Sequence, residues 1–185
     1  SVSYGPGGGS DETTQSLTYE VTVIPDSVNF GKIYLADGTT QVTTGSYTLA
    51  EIQGMQFAPN ANETGISFFS FNVQDDGGTA NGGSDTLGQS IQITVNAVND
   101  DPTNAGLLQS ASVVTEDVSS TINLSAINLS DVDAGAGELT MTLTTSTGGN
   151  LTATAGAGIT IGGNGTGTLS LTGTLTDLNN YLDTV

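Results

Sequence analysis

The chain has no cysteine, no histidine and no tryptophan, and across 185 residues a single base, Lys32, faces nineteen acids. Each absence removes a class of chemistry. Without cysteine there are no disulfides, no thiolate metal sites and no cysteine nucleophile. Without histidine there is no imidazole metal site and no Ser-His-Asp hydrolysis. One lysine cannot make the phosphate contacts that nucleic-acid binding needs. No apolar run approaches the roughly 18–20 residues of a membrane span. Few aromatics, no tryptophan and no basic pocket leave little to hold a sugar, a peptide or another small-molecule substrate. Proline is sparse (4), and glycine is abundant (26) without collagen's period of three.

What the chain does have is acid, and the acid is ordered. It gathers at GGGSDE (7–12), QDDGG (74–78), NDDP (99–102), TED (115–117) and DVD (131–133). A formal charge of −18 with no counter-charge disfavours any compact state through self-repulsion. Carboxylates at alternate positions in glycine-rich turns, with asparagine nearby, are the hard oxygen donors that Ca²⁺ prefers. The missing positive charge is therefore expected to be bound calcium. The competing reading is that Asp, Asn and Gly fill turns in any protein, and it is preferred for the isolated Asp26, Asp37 and Asp177.

A mean hydropathy of −0.01 and 35% hydrophobic residues argue against wholesale disorder. The segments 17–24, 68–74, 90–98, 138–145 and 168–175 alternate apolar and polar residues or are β-branched, and Gly, Asn or Asp clusters bound them. Many short strands with frequent turns predict an all-β fold of antiparallel sandwiches. Two helical turns are expected. One covers 47–55, with Thr48 as N-cap and Glu51 at capping-box spacing. The other covers 175–183, with Thr176 as cap.

An internal repeat organises the chain. SDETTQSLTYEVT (10–22) parallels VDAGAGELTMTLT (132–144), and in both an acidic loop precedes a Leu-Thr strand that is followed later by a helical turn. Asp11 matches Asp133, each six residues ahead of Leu17 and Leu139. The repeat implies two related units, 1–101 and 102–185, joined at NDDPT. After its helical turn the first unit has two further strands, 66–75 and 89–98. The second opens with two strands, around 111–116 and 120–129. By this phase the first unit lacks its opening strands and the second its closing pair, so both are expected to be truncated and to expose unpaired edges.

VNAVNDDPT, VTEDV, SDVDAG, LADGTT, YTLAEIQGMQFAPNAN and VQDDGGTANGG, in this order and spacing, resemble the cadherin-like tandem repeats of large calcium-dependent bacterial surface adhesins, often exported by type I secretion. The resemblance covers nearly the whole chain. It implies two tandem Ig-like Greek-key sandwiches with Ca²⁺ at the junctions, on the bacterial cell surface. The role implied is that of a structural extender, with neighbouring repeats as partners and no enzymatic activity.

Given a seven-strand Greek key, the candidate ligands fall into groups. Asp11, Glu12, Asp75, Asp76 and Asp85 are expected at the N-terminal pole of the first unit. Asn99, Asp100 and Asp101 come from the linker and Asp131 and Asp133 from the second unit's acidic loop. The connection 59–65 adds Asn60, Asn62 and Glu63 at the middle junction, and Glu116 is expected to serve the next one. Adjacent acids such as Asp75 and Asp76 do not make a glycosidase pair, whose carboxyls stand about 5–9.5 Å apart across a cleft. GGNGTG (162–167) has no following lysine and reads as a hairpin turn, not a phosphate loop. The alternative function is a subunit of an extracellular filament, in which neighbouring like chains supply the absent strands.

Overall fold

The computed structural model describes residues 4–5, 12–106 and 113–185. The chain divides into two compact units, Ser1–Val98 and Asn99–Val185. The division falls ahead of the expected 101/102 boundary. Asn99, Asp100 and Asp101 thus belong with the second unit, where the Asp100 N–H donates to Asp133 Oδ2 at 2.8 Å. The described residues are all-β in class, with antiparallel sheets and two short helices.

The first unit runs β1 (Leu17–Val23), β2 (Gly31–Tyr34), β3 (Gly45–Tyr47), α1 (Leu49–Gly54), β4 (Gln56–Pro59), β5 (Gly65–Asp75) and β6 (Thr86–Val95). Its larger sheet has the order β3-β1-β5-β6, and β2 pairs with β4 in a second sheet. Alternation decides which side chains go in. Tyr19 and Val21 of β1 and Phe69, Phe71 and Val73 of β5 share one face and are buried, with Ile33 of β2 and Val42. Phe57 of β4 packs on the same cluster, so both sheets close over one core. Burying a side chain such as Phe71, 2% exposed, is worth about 1.5–3 kcal/mol. Gly31 marks the closest approach within the second sheet, because a Cβ there would collide with the Phe57 ring and the Ala58 carbonyl.

The second unit runs β7 (Thr103–Asn104), β8 (Leu129–Ser130), β9 (Glu138–Thr144), β10 (Thr160–Gly162), β11 (Thr168–Thr174) and α2 (Leu175–Leu182). Its sheets are β10-β11-β9 and β7-β8. Here the core is built around the helix. Leu178, Tyr181 and Leu182 of α2 are buried with Leu169, Leu171 and Ile127. Asn179 fixes α2 to β8, accepting from the Leu129 N–H and donating to the Leu129 carbonyl, both at 2.9 Å. Tyr181 O–H donates to Thr154 O at 2.9 Å.

Two expectations need correction. The helix cap expected at Thr176 is Thr174, whose backbone is extended and whose Oγ1 accepts from the Asp177 N–H. Thr176 lies inside the helix. Of the strands expected around 111–116 and 120–129, the described residues 113–128 form none. Residues 107–112 lie outside the described set, and 113–128 form turns and irregular backbone, with only Leu129–Ser130 paired, to β7. Side chains divert this segment from a ladder. Asn123 Oδ1 accepts from both the N–H and the hydroxyl of Ser125, and the Ile127 N–H turns back to Leu124 O. The cap at Thr48 matches its expectation: it forms a complete capping box with Glu51. The GGNGTG segment joins β10 to β11 as a turn, with Gly163 at a φ of +67.

Candidate functional site

The acids sort by what their oxygens already do. Asp26 Oδ1 accepts from the Val28 and Asn29 N–H groups, and Asp37 Oδ1 from those of Thr39 and Thr40. Both close local turns. The Thr40 hydroxyl and N–H beside Asp37 push its carboxyl down from 3.8 to about 2. The Asn29 side chain, then the Val28 N–H, lowers Asp26 in the same way. Asp177 accepts from the Thr174 hydroxyl at the start of α2. These three are turn and cap residues, as their isolation in the sequence suggests.

The first acidic group sits where β5 leaves the sheet. Register places Leu17 opposite Asp75, so the segment entering β1 runs beside the β5–β6 connection. The Ser16 N–H donates to Asp76 Oδ1 at 3.0 Å and the Gly77 N–H to Asp75 Oδ1 at 2.8 Å. Asp85 receives Gln74 Nε2 at 3.1 Å and the Thr86 hydroxyl at 3.0 Å, and these two donors, Gln74 first, hold its carboxyl below the ordinary range. Glu12 lies in the turn before β1, where the Gln15 N–H meets its carbonyl. Asp11 lies outside the described residues.

Sequence reasoning missed Gln15. Its Oε1 is buried and has no hydrogen-bond partner. A Cβ built on Gly77 would collide with the Gln15 carboxamide and crowd Asp75 Oδ1, so these groups share one tight space. The neutral carbonyl oxygen of a carboxamide that shares this space with Asp75 is of the donor kind that Ca²⁺ accepts. Glutamine carries no motif signal, and only the β1–β5 register brings it to the acids.

The second group belongs to the second unit. Asp133 Oδ2 accepts from Asp100, while Asp131 Oδ1 accepts from the Asp133 N–H at 3.2 Å and the Ala134 N–H at 3.0 Å. The Asp100 N–H, then the Asp131 side chain, holds the Asp133 carboxyl below its ordinary 3.8. Asn99 donates through Nδ2 to the Asp100 carbonyl. Asp101 comes next in the chain, exposed. The NDD and DVD stretches, far apart in sequence, are thus side by side.

The remaining candidates lie in other turns of their own units. Asn62 and Glu63 lie in the turn between β4 and β5, where Asn62 takes a φ of +63. Asn60, at the head of that turn, spends its amide on the carbonyls of Ser27 and Val28. Glu116 sits in the exposed turn that the Val118 N–H closes on Thr115 O.

Among the described residues no three acidic side chains stand close enough to form a metal cage on their own. The donor set still fits calcium in kind. It consists of carboxylates, amide carbonyls and backbone carbonyls, and Ca²⁺ takes six to eight oxygens at about 2.3–2.6 Å, water included. Comparisons with protein families, with curated proteins and with solved structures find no match. Among the described residues no helix is long and apolar enough to cross a membrane.

Proposed function

We propose that the chain is an extender segment of a large extracellular surface adhesin, made of tandem Ig-like sandwiches that calcium stiffens, and that it has no active site. The observation that carries this reading is the pairing of NDD with DVD. The Asp100 N–H donates to the Asp133 carboxylate and the Asp131 carboxylate accepts from the Asp133 and Ala134 N–H groups, so two acidic stretches adjoin in a chain with one base against nineteen acids. Adjoining acidic stretches without counter-charge repel one another, and a bound cation would relieve that repulsion. Asp100, Asp131, Asp133 and the Asn99 and Asp101 segment would hold one ion. Asp75, Asp76, Asp85 and Gln15, with Glu12, would hold another. The ions would supply charge neutralisation and cross-linking of loops, and no bond-making chemistry.

The test is a calcium titration, read by calorimetry, on the purified chain and on Asp131→Ala/Asp133→Ala. The unsubstituted protein is expected to bind calcium and the double variant to lose the second-unit site. Equal uptake by both would remove the NDD–DVD site.

A second reading, a subunit of an extracellular filament, is favoured by one specific observation. β9 pairs with β11 on one side, and no described residue pairs on its other side. Electron microscopy with and without calcium separates the two. The extender gives discrete particles, and the subunit gives fibres.

A further inference from the structure

The dipeptide Asn-Gly occurs twice, at Asn81-Gly82 in the first unit and at Asn164-Gly165 in the second. A glycine after asparagine leaves the asparagine side chain open to attack by the backbone. With no Cβ, the glycine neither shields its own amide nitrogen nor restricts its rotation. Asparagine counts among the thermolabile residues. Both dipeptides stand in exposed turns. What holds them differs.

Asn164 is held at both ends of its carboxamide. Its Oδ1 accepts from the Ala153 N–H at 3.0 Å, and its Nδ2 donates to Ala153 O at 3.1 Å. The next nitrogen is held too. The Gly165 N–H donates to Leu151 O at 2.8 Å, and the Leu151 N–H returns a bond to Thr166 O at 2.8 Å. Side chain and backbone are thus pinned to the segment 151–153, and the Gly165 proton is engaged.

The Asn81 carboxamide makes no hydrogen bond to any described residue. It lies in the connection between β5 and β6, where residues 76–84 are all exposed. The turn around it is closed locally, by the Gly83 N–H on Ala80 O at 3.1 Å. Asn81 has a φ of 57 and a ψ of 25, and Gly82 follows with a φ of +84. At that ψ the Gly82 nitrogen points away from the Asn81 side chain, so the turn must swing before the two meet. Gly82 and Gly83 in succession make that swing easy. The Asp75 N–H bonds to Asp85 O at 3.0 Å and ties the base of the connection, so the sheet is not disturbed.

We infer that Asn81 is a site of spontaneous deamidation through a cyclic imide, and that the fold withholds the same reaction from Asn164. The Gly82 nitrogen, having given its proton to solvent base, attacks Asn81 Cγ. A C–N bond forms and closes the ring, and Nδ2 takes up a proton and leaves as ammonia. Water then opens the ring at one of its two carbonyls. Opening at Cγ gives aspartate. Opening at the main-chain carbonyl gives isoaspartate, with Cβ carried into the backbone. Either product adds a carboxylate to the connection that already bears Asp76 and ends at Asp75 and Asp85, and like charge accumulates there. The isoaspartate also lengthens that connection by one carbon. The first unit's acidic group therefore changes with age. No enzyme and no metal take part.

The test is timed peptide mapping by mass spectrometry on the whole chain, held at mildly alkaline pH both native and unfolded in guanidinium. Chymotrypsin supplies the fragments, because a single lysine and no arginine give trypsin too few cuts. In the native chain the Asn81 fragment is expected to show the mass gain of an amide turned acid and to split into aspartate and isoaspartate forms. Asn164 is expected to react more slowly by over about tenfold, since its release requires local opening of the hairpin. In guanidinium the two rates should converge. Gly82→Ala, whose added Cβ shields the nitrogen, should slow the Asn81 reaction in both states. A native rate at Asn164 that equals or exceeds the one at Asn81 would overturn the proposal. So would an Asn81 fragment that stays unchanged in the native chain while it reacts in guanidinium. Aspartate without isoaspartate would also overturn it, because that signals direct hydrolysis of the amide.

Discussion

Val21 and Leu143 hold the same place in the two halves of the repeat, yet Val21 is 1% exposed and Leu143 is half-buried. The first unit covers its repeat strand with another strand. β5 lies along β1 and brings in Phe69, Phe71 and Val73. The second unit builds inward with a helix. α1 buries none of its residues, whereas α2 buries Leu178, Tyr181 and Leu182. One sequence pattern, an acidic loop leading into a Leu-Thr strand, thus serves two cores. The element packed against that strand, a second long strand in one unit and a helix-backed hairpin in the other, decides which core forms.

The two units also differ in register. Tyr47, just before the Thr48 cap, pairs with Tyr19. Gly173, just before the Thr174 cap, pairs with Leu139, the counterpart of Leu17. The slip is two residues. A shift of two keeps every side chain on its face, whereas a shift of one would turn the apolar row outward.

Truncating each core separately should have the largest effect. Phe71→Ala is expected to cost about 3–5 kcal/mol, and Leu178→Ala about 2–5 kcal/mol. For domains of this size each kcal/mol lowers the melting temperature by roughly 4–8 °C. Scanning calorimetry should show the Phe71 variant shifting one transition and the Leu178 variant another. Both variants shifting one common transition would break the picture of two separate cores.

Capping comes next. Thr48→Ala and Thr174→Ala should each cost about 1 kcal/mol. The Thr174 change should be felt more widely, because α2 carries half the second core and α1 buries no residue in the first. Denaturant titration with near-ultraviolet detection can compare them, and a larger effect at Thr48 would contradict the helix-centred view of the second unit.

The smallest effect is the share of the pH dependence that comes from the first unit's β2–β3 turn. Asp37 is pushed down to about 2 from 3.8, so folding favours its ionised form. Its contribution is complete above the unfolded value and is lost as pH falls from about 4 towards 2. Melts between those limits should fall less steeply for Asp37→Asn than for the unsubstituted chain, and parallel curves would remove the role given to that turn.

Much of the fold was legible in the sequence. Strict alternation in LTYEVTV and ELTMTLT marks β1 and β9, and Thr48 with Glu51 announces the first cap. Thr174-Leu-Thr-Asp repeats the spacing of Thr48-Leu-Ala-Glu, so the second cap was legible too, once the two helices are aligned on their acids. The segment 113–128 was not. Its β-branched residues resemble a strand, but Ser and Asn side chains compete locally for the backbone. Of the acidic loops, the sequence marks the residues but not their neighbours. Asp100 beside Asp133, and Gln15 beside Asp75 and Asp76, arise from strand pairing, which composition does not encode.

Calorimetric melts of the whole chain in millimolar calcium and in excess chelator test the central claim most directly. A ligand that binds only the folded form adds about 2.7 kcal/mol at a hundredfold excess over Kd. Calcium is expected to raise both transitions by many degrees, and Asp131→Ala/Asp133→Ala to cancel the rise in the second unit alone. Superimposable melts with and without calcium would contradict the account.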